Sequence, residues 1–518
     1  MGGDPRLGGG RNVSGGRVVV VGGGLAGLAA GIACADGGAA VTLLESRPRL
    51  GGATWSFRRD GRWYDNGQHV FLRCCNEYRA FLTRIGSTGG THLQDRLSIP
   101  VLRPGKRPAC IRRSRLPVPL HLARALACYG PLGAADRARL GRAALALSQL
   151  DLADPALDHV SFETWLGRHG QSPAAIAGLW DLITRPTVNL PASRASAAMA
   201  AKVFQTGLLS EAGAADIGWA KVPLAHLHGG PAGAALAAAG VDVRLRAKVT
   251  AVETGAGAGA GPATADPVGN YGAGLAVVAD GERLQADSVV LAVPHEAAAE
   301  LLPEGAVANQ KRLGELGASP IVDVHLVYDR RVTDIELAAA LDSPVQWVFD
   351  STAASGHEGP GQVLAVSLSA ADEWIGRRPE DLVATFVAAV AELFPRARSA
   401  QVLDSVVSRE RAATFASFPG TAALRPAAQT AFPGLVVAGA WTHTGWPATM
   451  EGAVRSGNAA ARVVLAGLAR DRAPGTAVRP SGAAAVQPSG AAVVQPSGAA
   501  VVQPSGVAVR PEPTEVLG

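Results

Sequence analysis

Several residue types are scarce in this 518-residue chain, and each scarcity excludes something. The five cysteines (Cys34, Cys74, Cys75, Cys110 and Cys128) are odd in number and form no CxxC or Cys/His spacing. That argues against a disulfide framework or a metal site and predicts a reducing, cytoplasmic setting. Aromatic residues make up 5% and charged residues 18%, against 48% hydrophobic, so the core must rest on Ala, Val and Leu, and the middle of the chain must fold. Lysine supplies only five of the 48 basic residues. The net charge of +5 is mild, and no basic block with interleaved aromatics recurs, which excludes nucleic acid as a partner.

What is present is length and punctuation. At roughly 150 residues per domain the chain could hold about three to four domains. Its ends subtract from that: residues 1–16 are a Gly-rich leader, and residues 471–518 carry an octad repeat, PSGAAVVQ, beginning at Pro480, Pro488, Pro496 and Pro504. Both are expected to be flexible and without a catalytic part. Residues 18–35 are all apolar or glycine and imitate an export signal or a short membrane span. Five glycines within them (22, 23, 24, 27 and 31) instead predict a strand turning sharply into a helix. Residues 112–240 read as helix-rich, and residues 241–253 (VDVRLRAKVTAVE) as a strand. The Gly/Ala run from 254 to 274 reads as a floppy hairpin extension, and residues 435–439 (LVVAG) as a last strand leading to a helix near Met450.

Gly22, Gly24 and Gly27 form a GxGxxG motif after four valines, and Glu45 ends the next strand, 23 positions after the first glycine. In that context the glycines let a backbone approach a pyrophosphate, the helix N-terminus offers free N–H groups, and Glu45 can accept hydrogen bonds from ribose hydroxyls. A dinucleotide is the expected ligand. Far downstream, a strand ending at Gly439, a Trp/Thr-rich turn and a helix opening at Met450-Glu451 would aim further N–H groups at one spot, where an electron-rich reduced flavin would be stabilised.

The segment after Glu45, ESRPRLGGATWSF, resembles the second glycine pair (Gly51, Gly52) of flavin-dependent amine oxidases and carotenoid desaturases, with Arg47 and Arg49 as candidates to steady the diphosphate. Ala53 replaces the arginine usual in amine oxidases, which favours the desaturase side. Asp65-Asn66-Gly67-Gln68-His69-Val70-Phe71, Leu179-Trp180, Asn189-Leu190-Pro191, Gly218-Trp219 and the run from Thr444 to Gly457 then resemble the squalene-associated FAD-dependent desaturases, the hydroxysqualene dehydroxylases, over about residues 17–468. One departure is Ala440, where relatives commonly carry an acid.

The resemblance implies an α/β fold: a Rossmann-like FAD-binding domain of the glutathione-reductase type (residues 17–95, 241–300 and 425–470) interleaved with an α+β substrate domain (96–240 and 301–424). It implies FAD held by Gly22, Gly24, Gly27, Glu45, Arg47, Arg49, Gly51, Gly52, Gln68, Val249, Gly439, Met450 and Glu451. It also implies a C30 isoprenoid substrate, hydroxysqualene, reduced to squalene with loss of water, and squalene-pathway synthases upstream as partners. Such chemistry needs one acid in a dry pocket. Asp65, His69 and His443 are the expected acids, with Asp181 and Glu211 also eligible, and Phe71, Trp441 and Trp446 are expected to line the pocket. Two alternatives stand beside this: a carotenoid or phytoene desaturase or isomerase, and a non-catalytic prenyl-binding protein. Basic residues at 103, 106, 107, 112, 113 and 115, followed by LPVPLHLARALACYGPL, predict peripheral docking at the inner face of the membrane. The other reading of that stretch is a solvated loop before a core helix.

Overall fold

The computed structural model describes residues 15–255 and 274–472. The Gly/Ala run expected as a hairpin extension, the leader and the repeat tail lie, save for a few end residues, outside the described residues.

Arg17–Val21 is the middle strand of a five-stranded parallel sheet. Its neighbours are Ala40–Glu45, with Asp242–Leu245 beyond, and Ser288–Leu291, with Leu435–Val437 beyond. Three stretches far apart in sequence thus meet in one Rossmann-like layer. All four valines of the middle strand are buried because both faces of the sheet are covered. Val18 and Val20 pack towards the helices Leu25–Asp36 and Met450–Arg472, whereas Val19 and Val21 pack on a three-stranded antiparallel layer, Val249–Glu253, Leu275–Ala279 and Glu282–Ala286. The expected single strand over 241–253 is therefore two strands in two sheets. Arg246, at φ 60°, breaks it and turns the chain from one layer to the other.

A seven-stranded sheet forms the second half. Its order is Val402–Phe415, Ala318–Tyr328, Gln362–Ser369, Trp347–Asp350, Leu337–Ala340, Ser98–Leu102 and Ala109–Arg112. One face, with Val322, Val324 and Leu326, packs on the helix Pro379–Leu393. Strand alternation sends Ile321, Asp323 and His325 to the other face. There they meet the loop after Arg62–Asp65, since Gln68 N–H bonds to Asp323 and the His325 ring to the Asp65 carbonyl. The helix-rich stretch between residues 112 and 240 closes over this face. It contains three widened, π-type turns, Ile176–Trp180, Gln205–Leu209 and Ala225–Gly229, and the first two border the cavity described below.

Candidate active site

The glycine motif builds a crevice from backbone. Gly22 leaves its strand at φ 106°, and a Cβ on Gly27 would collide with the Gly22 carbonyl, so strand and helix meet at van der Waals contact. Gly51 N–H bonds to Gly23 O at 2.9 Å and so brings in the second glycine pair. Helix Leu25–Asp36 has no side-chain cap and no acid in its first turn, and its first internal bond runs from Leu28 N–H to Gly24 O. Leu25 N–H is turned to the Gly51 carbonyl by the parallel bridge between Gly24 and Gly51, whereas that of Ala26 is left without a protein partner among the described residues, beside a space in which a Cβ on Gly24 would meet only Gly52 Cα, at 3.8 Å. Glu45 is buried, accepting from Gly23 N–H and Arg47 N–H at 2.7 Å each. Arg49 donates to Gly52 O at 3.0 Å and lies over the Trp55 ring, whereas Arg47 is exposed. Ala247 N–H bonds to Glu45 O and lays the segment leading to Val249 beside them.

The downstream turn abuts the same sheet. Gly439 N–H bonds to Ser456 Oγ at 2.8 Å, and the Trp441 indole donates to Val293 O. At the start of the helix, Gly452 and Ala453 N–H are taken by Thr449, which leaves those of Met450 and Glu451 without a protein partner among the described residues. The Glu451 side chain departs from expectation. Its buried carboxylate accepts from Tyr78 N–H (2.7 Å), Glu77 N–H (3.3 Å) and Arg455 (2.6 Å). It caps the helix Asn76–Arg84 instead of facing a cofactor, because the N-terminus of that helix is the nearest unsatisfied positive end.

Between the seven-stranded sheet and the helix-rich stretch that covers it runs a cavity of about 220 Å³. Leu147, Leu182, Ile183, Phe204, Ile217 and Ile321 typify its walls, which include no carboxylate, lysine or arginine. Pro119, Leu122 and Leu126 border one part of it, and Gln68, Ser367 and Ser369 supply polar groups in another. Phe71, Trp441 and Trp446 are absent from this lining: Phe71 packs edge-on against Tyr78, Trp441 is pinned by Val293, and Trp446 lies beneath Arg455. Gln68 also borders a second, water-sized space of about 10 Å³, with Asp65, His69, Asp350 and Ser351.

The titratable groups around Gln68 share one electrostatic condition, burial. Burial pushes Asp65 up to about 6, against hydrogen bonds from Ser56 (2.6 Å) and Leu224 N–H (3.0 Å) that favour its charged form. Asp323 is pushed up to about 7, chiefly by burial. It accepts from Gln68 N–H at 3.2 Å and lies beside the Ser367 hydroxyl, which with that N–H favours its charged form; Asp323 itself borders neither cavity, whereas Gln68 and Ser367 line the larger one. Burial holds His69 below its usual range and His325 down to about 4, so both are neutral.

Two glycine loops, free helix N–H groups and a buried acid at a strand end form a cradle that fits a dinucleotide. Residues 25–465 match the family described as flavin containing amine oxidoreductase. The chain belongs to that family. Over 468 residues it is 29% identical to hydroxysqualene dehydroxylase of Rhodopseudomonas palustris, covering 87% of this chain and 98% of the relative. Over 485 residues it is 27% identical to the probable zeta-carotene desaturase of Synechococcus elongatus, with the same coverage of both chains. Among solved structures, wild-type putrescine oxidase bound to putrescine aligns with a TM-score of 0.63 at 20% identity over 87% of this chain and 99% of that one, a likeness of fold. FAD is the cofactor of this flavoprotein.

The structure gathers Asp65, Gln68 and His69 in one place and leaves other expected acids outside it. His443 is exposed on its turn, held by a bond from its own N–H to Pro426 O. Glu211 is exposed, and Asp181 accepts from Ala192 N–H at 2.6 Å; none of the three borders either cavity. Sequence reasoning missed Asp323 and Asn66. Asn66 holds the loop by bonds to Ala53 O, Trp55 N–H and Glu410. The available signal for Asp323 was a lone acid in an apolar strand, SPIVDVHLVY, a position that a buried acid rarely occupies without a role.

Proposed function

We propose that this flavoprotein reduces hydroxysqualene to squalene. The observation that carries the reading is an apolar cavity without charged walls whose polar lining, Gln68 and Ser367, backs onto a buried carboxyl, Asp323, that is about half protonated at neutrality. The C–O bond of the allylic alcohol breaks as the hydroxyl takes a proton from the Ser367 hydroxyl, which lines the cavity and is reprotonated by Asp323, and leaves as water. Reduced FAD, when bound, supplies the hydride that makes the new C–H bond. Gln68, whose side chain donates to Ser351 at 3.1 Å, orients the hydroxyl, and Asp65 and His69 resupply the proton through the small polar space. The leucine and isoleucine walls exclude water, which would otherwise trap the allylic cation. Glu45, Arg49 and the free N–H groups at Ala26, Met450 and Glu451 would hold the cofactor, with Val249 in the segment laid beside Glu45.

An oxidative carotene desaturase is the second reading, supported by the Synechococcus relative. It needs no proton donor, which is why Asp323 favours the first. Anaerobic mixing of photoreduced enzyme with hydroxysqualene is expected to reoxidise the flavin and yield squalene in equal amounts. Flavin that stays reduced, together with desaturation of a carotene by oxidised enzyme, would overturn the proposal.

Such a substrate is delivered from a lipid surface, and the chemistry beside Pro119, Leu122 and Leu126 suits one. Leu116 and Leu120 are 51% and 53% exposed, with Arg112, Arg115 and Arg124 exposed around them. Arg113, read from sequence as part of the docking patch, instead clamps the fully buried Asp216 with Arg73. Among the described residues no helix is long and apolar enough to cross a membrane. At about 1 kcal/mol per basic residue, replacing Arg112, Arg115 and Arg124 by serine should weaken co-sedimentation with phosphatidylglycerol vesicles roughly 100-fold. Undiminished binding would refute docking through this face.

A further inference from the structure

We infer that Arg425 is a positioning residue that builds the flavin-facing turn and lends it a positive charge that no directly bonded carboxylate cancels, raising the reduction potential of bound FAD. Arg425 is 6% exposed and makes its hydrogen bonds to one short stretch, residues 440–446. One terminal nitrogen donates to the carbonyls of Ala440 (3.1 Å), Thr442 (2.7 Å) and Trp446 (2.8 Å) and to the Thr444 hydroxyl (3.3 Å). Its Nε donates to Trp441 O at 3.3 Å, and the guanidinium lies 4.8 Å from the centre of the Phe415 ring. This one side chain therefore fixes the path from Gly439 to the start of helix Met450–Arg472.

Every one of these partners is neutral. No carboxylate pairs with Arg425 among the described residues; the acid that acts on it is Asp158, which is itself occupied by Ser196 (2.6 Å) and Ala422 N–H (2.9 Å). Position 440, whose carbonyl takes an Arg425 proton, has a methyl side chain and offers no charge in return. Burial lowers the guanidinium to about 10, which still leaves it cationic at neutral pH. A buried cation without a directly bonded counter-ion is costly, and a neutral side chain of similar shape would avoid that cost. What the charge does that such a side chain could not is favour an electron-rich neighbour. Reduction adds negative charge to the flavin, so a fixed cation behind the turn stabilises the reduced form over the oxidised one.

The inference rests on FAD meeting residues 439–451 and not on the identity of the substrate, so it is tested without substrate. Arg425→Met, Arg425→Lys and Ala440→Asp are compared with the wild type as FAD-loaded full-length protein, by photoreduction against reference dyes and by FAD titration of the stripped chains. Arg425→Met is expected to shift the flavin–dye equilibrium about tenfold towards oxidised flavin, or roughly 30 mV for a two-electron couple, and to weaken FAD binding. Arg425→Lys keeps the charge but has fewer donors, so it should hold the potential within about threefold of that equilibrium while still binding FAD less tightly. Ala440→Asp leaves Arg425 in place and supplies the missing counter-charge, and should lower the potential in the same direction as Arg425→Met. An unchanged potential in Arg425→Met, or equal shifts in the methionine and lysine variants, would reduce Arg425 to a packing role. If Arg425→Met does not accumulate, Ala440→Asp decides: a wild-type potential there overturns the inference.

Discussion

Replacing Gly24 by alanine is expected to leave a folded protein that has lost most of its grip on FAD. The reason is a contrast within one motif. A Cβ at Gly27 collides with the Gly22 carbonyl, and one at Gly22 with the Ala292 carbonyl, so alanine at either position must push strand and helix apart. A Cβ at Gly24 meets only Gly52 Cα, at an ordinary 3.8 Å, and projects into the space left between the two glycine loops. That is the space a pyrophosphate needs if the N–H groups of the first helical turn, Ala26 foremost, are to reach it. Overpacking costs about 1–3 kcal/mol, so Gly24→Ala should weaken FAD binding by roughly 10- to 100-fold with little change in the thermal midpoint of the stripped protein. Gly27→Ala should lose a similar free energy from the fold itself. FAD titration and melting of both variants, each stripped of cofactor, check the pair. Wild-type affinity in Gly24→Ala would mean that the pyrophosphate lies elsewhere.

Asp323→Asn should slow single-turnover conversion of hydroxysqualene about 100-fold or more, the usual contribution of a positioned acid, while FAD stays bound. The pH dependence carries the finer test. The wild-type rate should fall as pH rises through about 7, where Asp323 gives up its proton, and the asparagine variant should lack that descending limb. Stability should follow with a definite sign. Unfolded, Asp323 titrates near 3.8; folded, near 7; between those values the native state holds the extra proton, so this group makes stability decline as pH rises from about 4 to about 7. Burial of neutral His228 (about 3) and His325 (about 4) acts in the opposite sense, costing stability as pH falls below their unfolded value of 6.5. The difference between wild type and Asp323→Asn isolates the carboxyl. A rate profile identical in both proteins would remove Asp323 from the chemistry.

The cofactor cradle was legible because it is made of local rules. A strand of four valines, glycines where backbones must touch, and an acid at the end of the next strand are all constraints within 30 residues, and each residue type has few other uses there. The same holds for the turn into Met450. The acid proposed for the reaction, Asp323, was not legible in this way. Asp323 is one carboxyl in an eleven-residue strand, Ala318–Tyr328. Only its pairing with Gln362–Ser369 on one side and Val402–Phe415 on the other buries that carboxyl beside Gln68. Arg113 and the Glu451 side chain show the same limit. Both sit in segments whose pattern suited lipid or cofactor, yet a buried Asp216 and a helix end at Tyr78, distant in sequence, hold them, while the Glu451 N–H is left to the turn.

The order of residues therefore decides, without further help, that this chain binds a dinucleotide on a Rossmann-like layer and needs few aromatics to do so, since backbone N–H groups and small residues perform the recognition. Packing alone decides which acids are dry, which arginines are spent on ion pairs, and which face of a strand meets the substrate. Burial is a property of what covers a residue, and the covering elements here come from hundreds of positions away, as Glu451 does over Glu77 across 374 positions. The scarcity of charge noted in the chain as a whole becomes, in the fold, a cavity walled without a carboxylate, lysine or arginine.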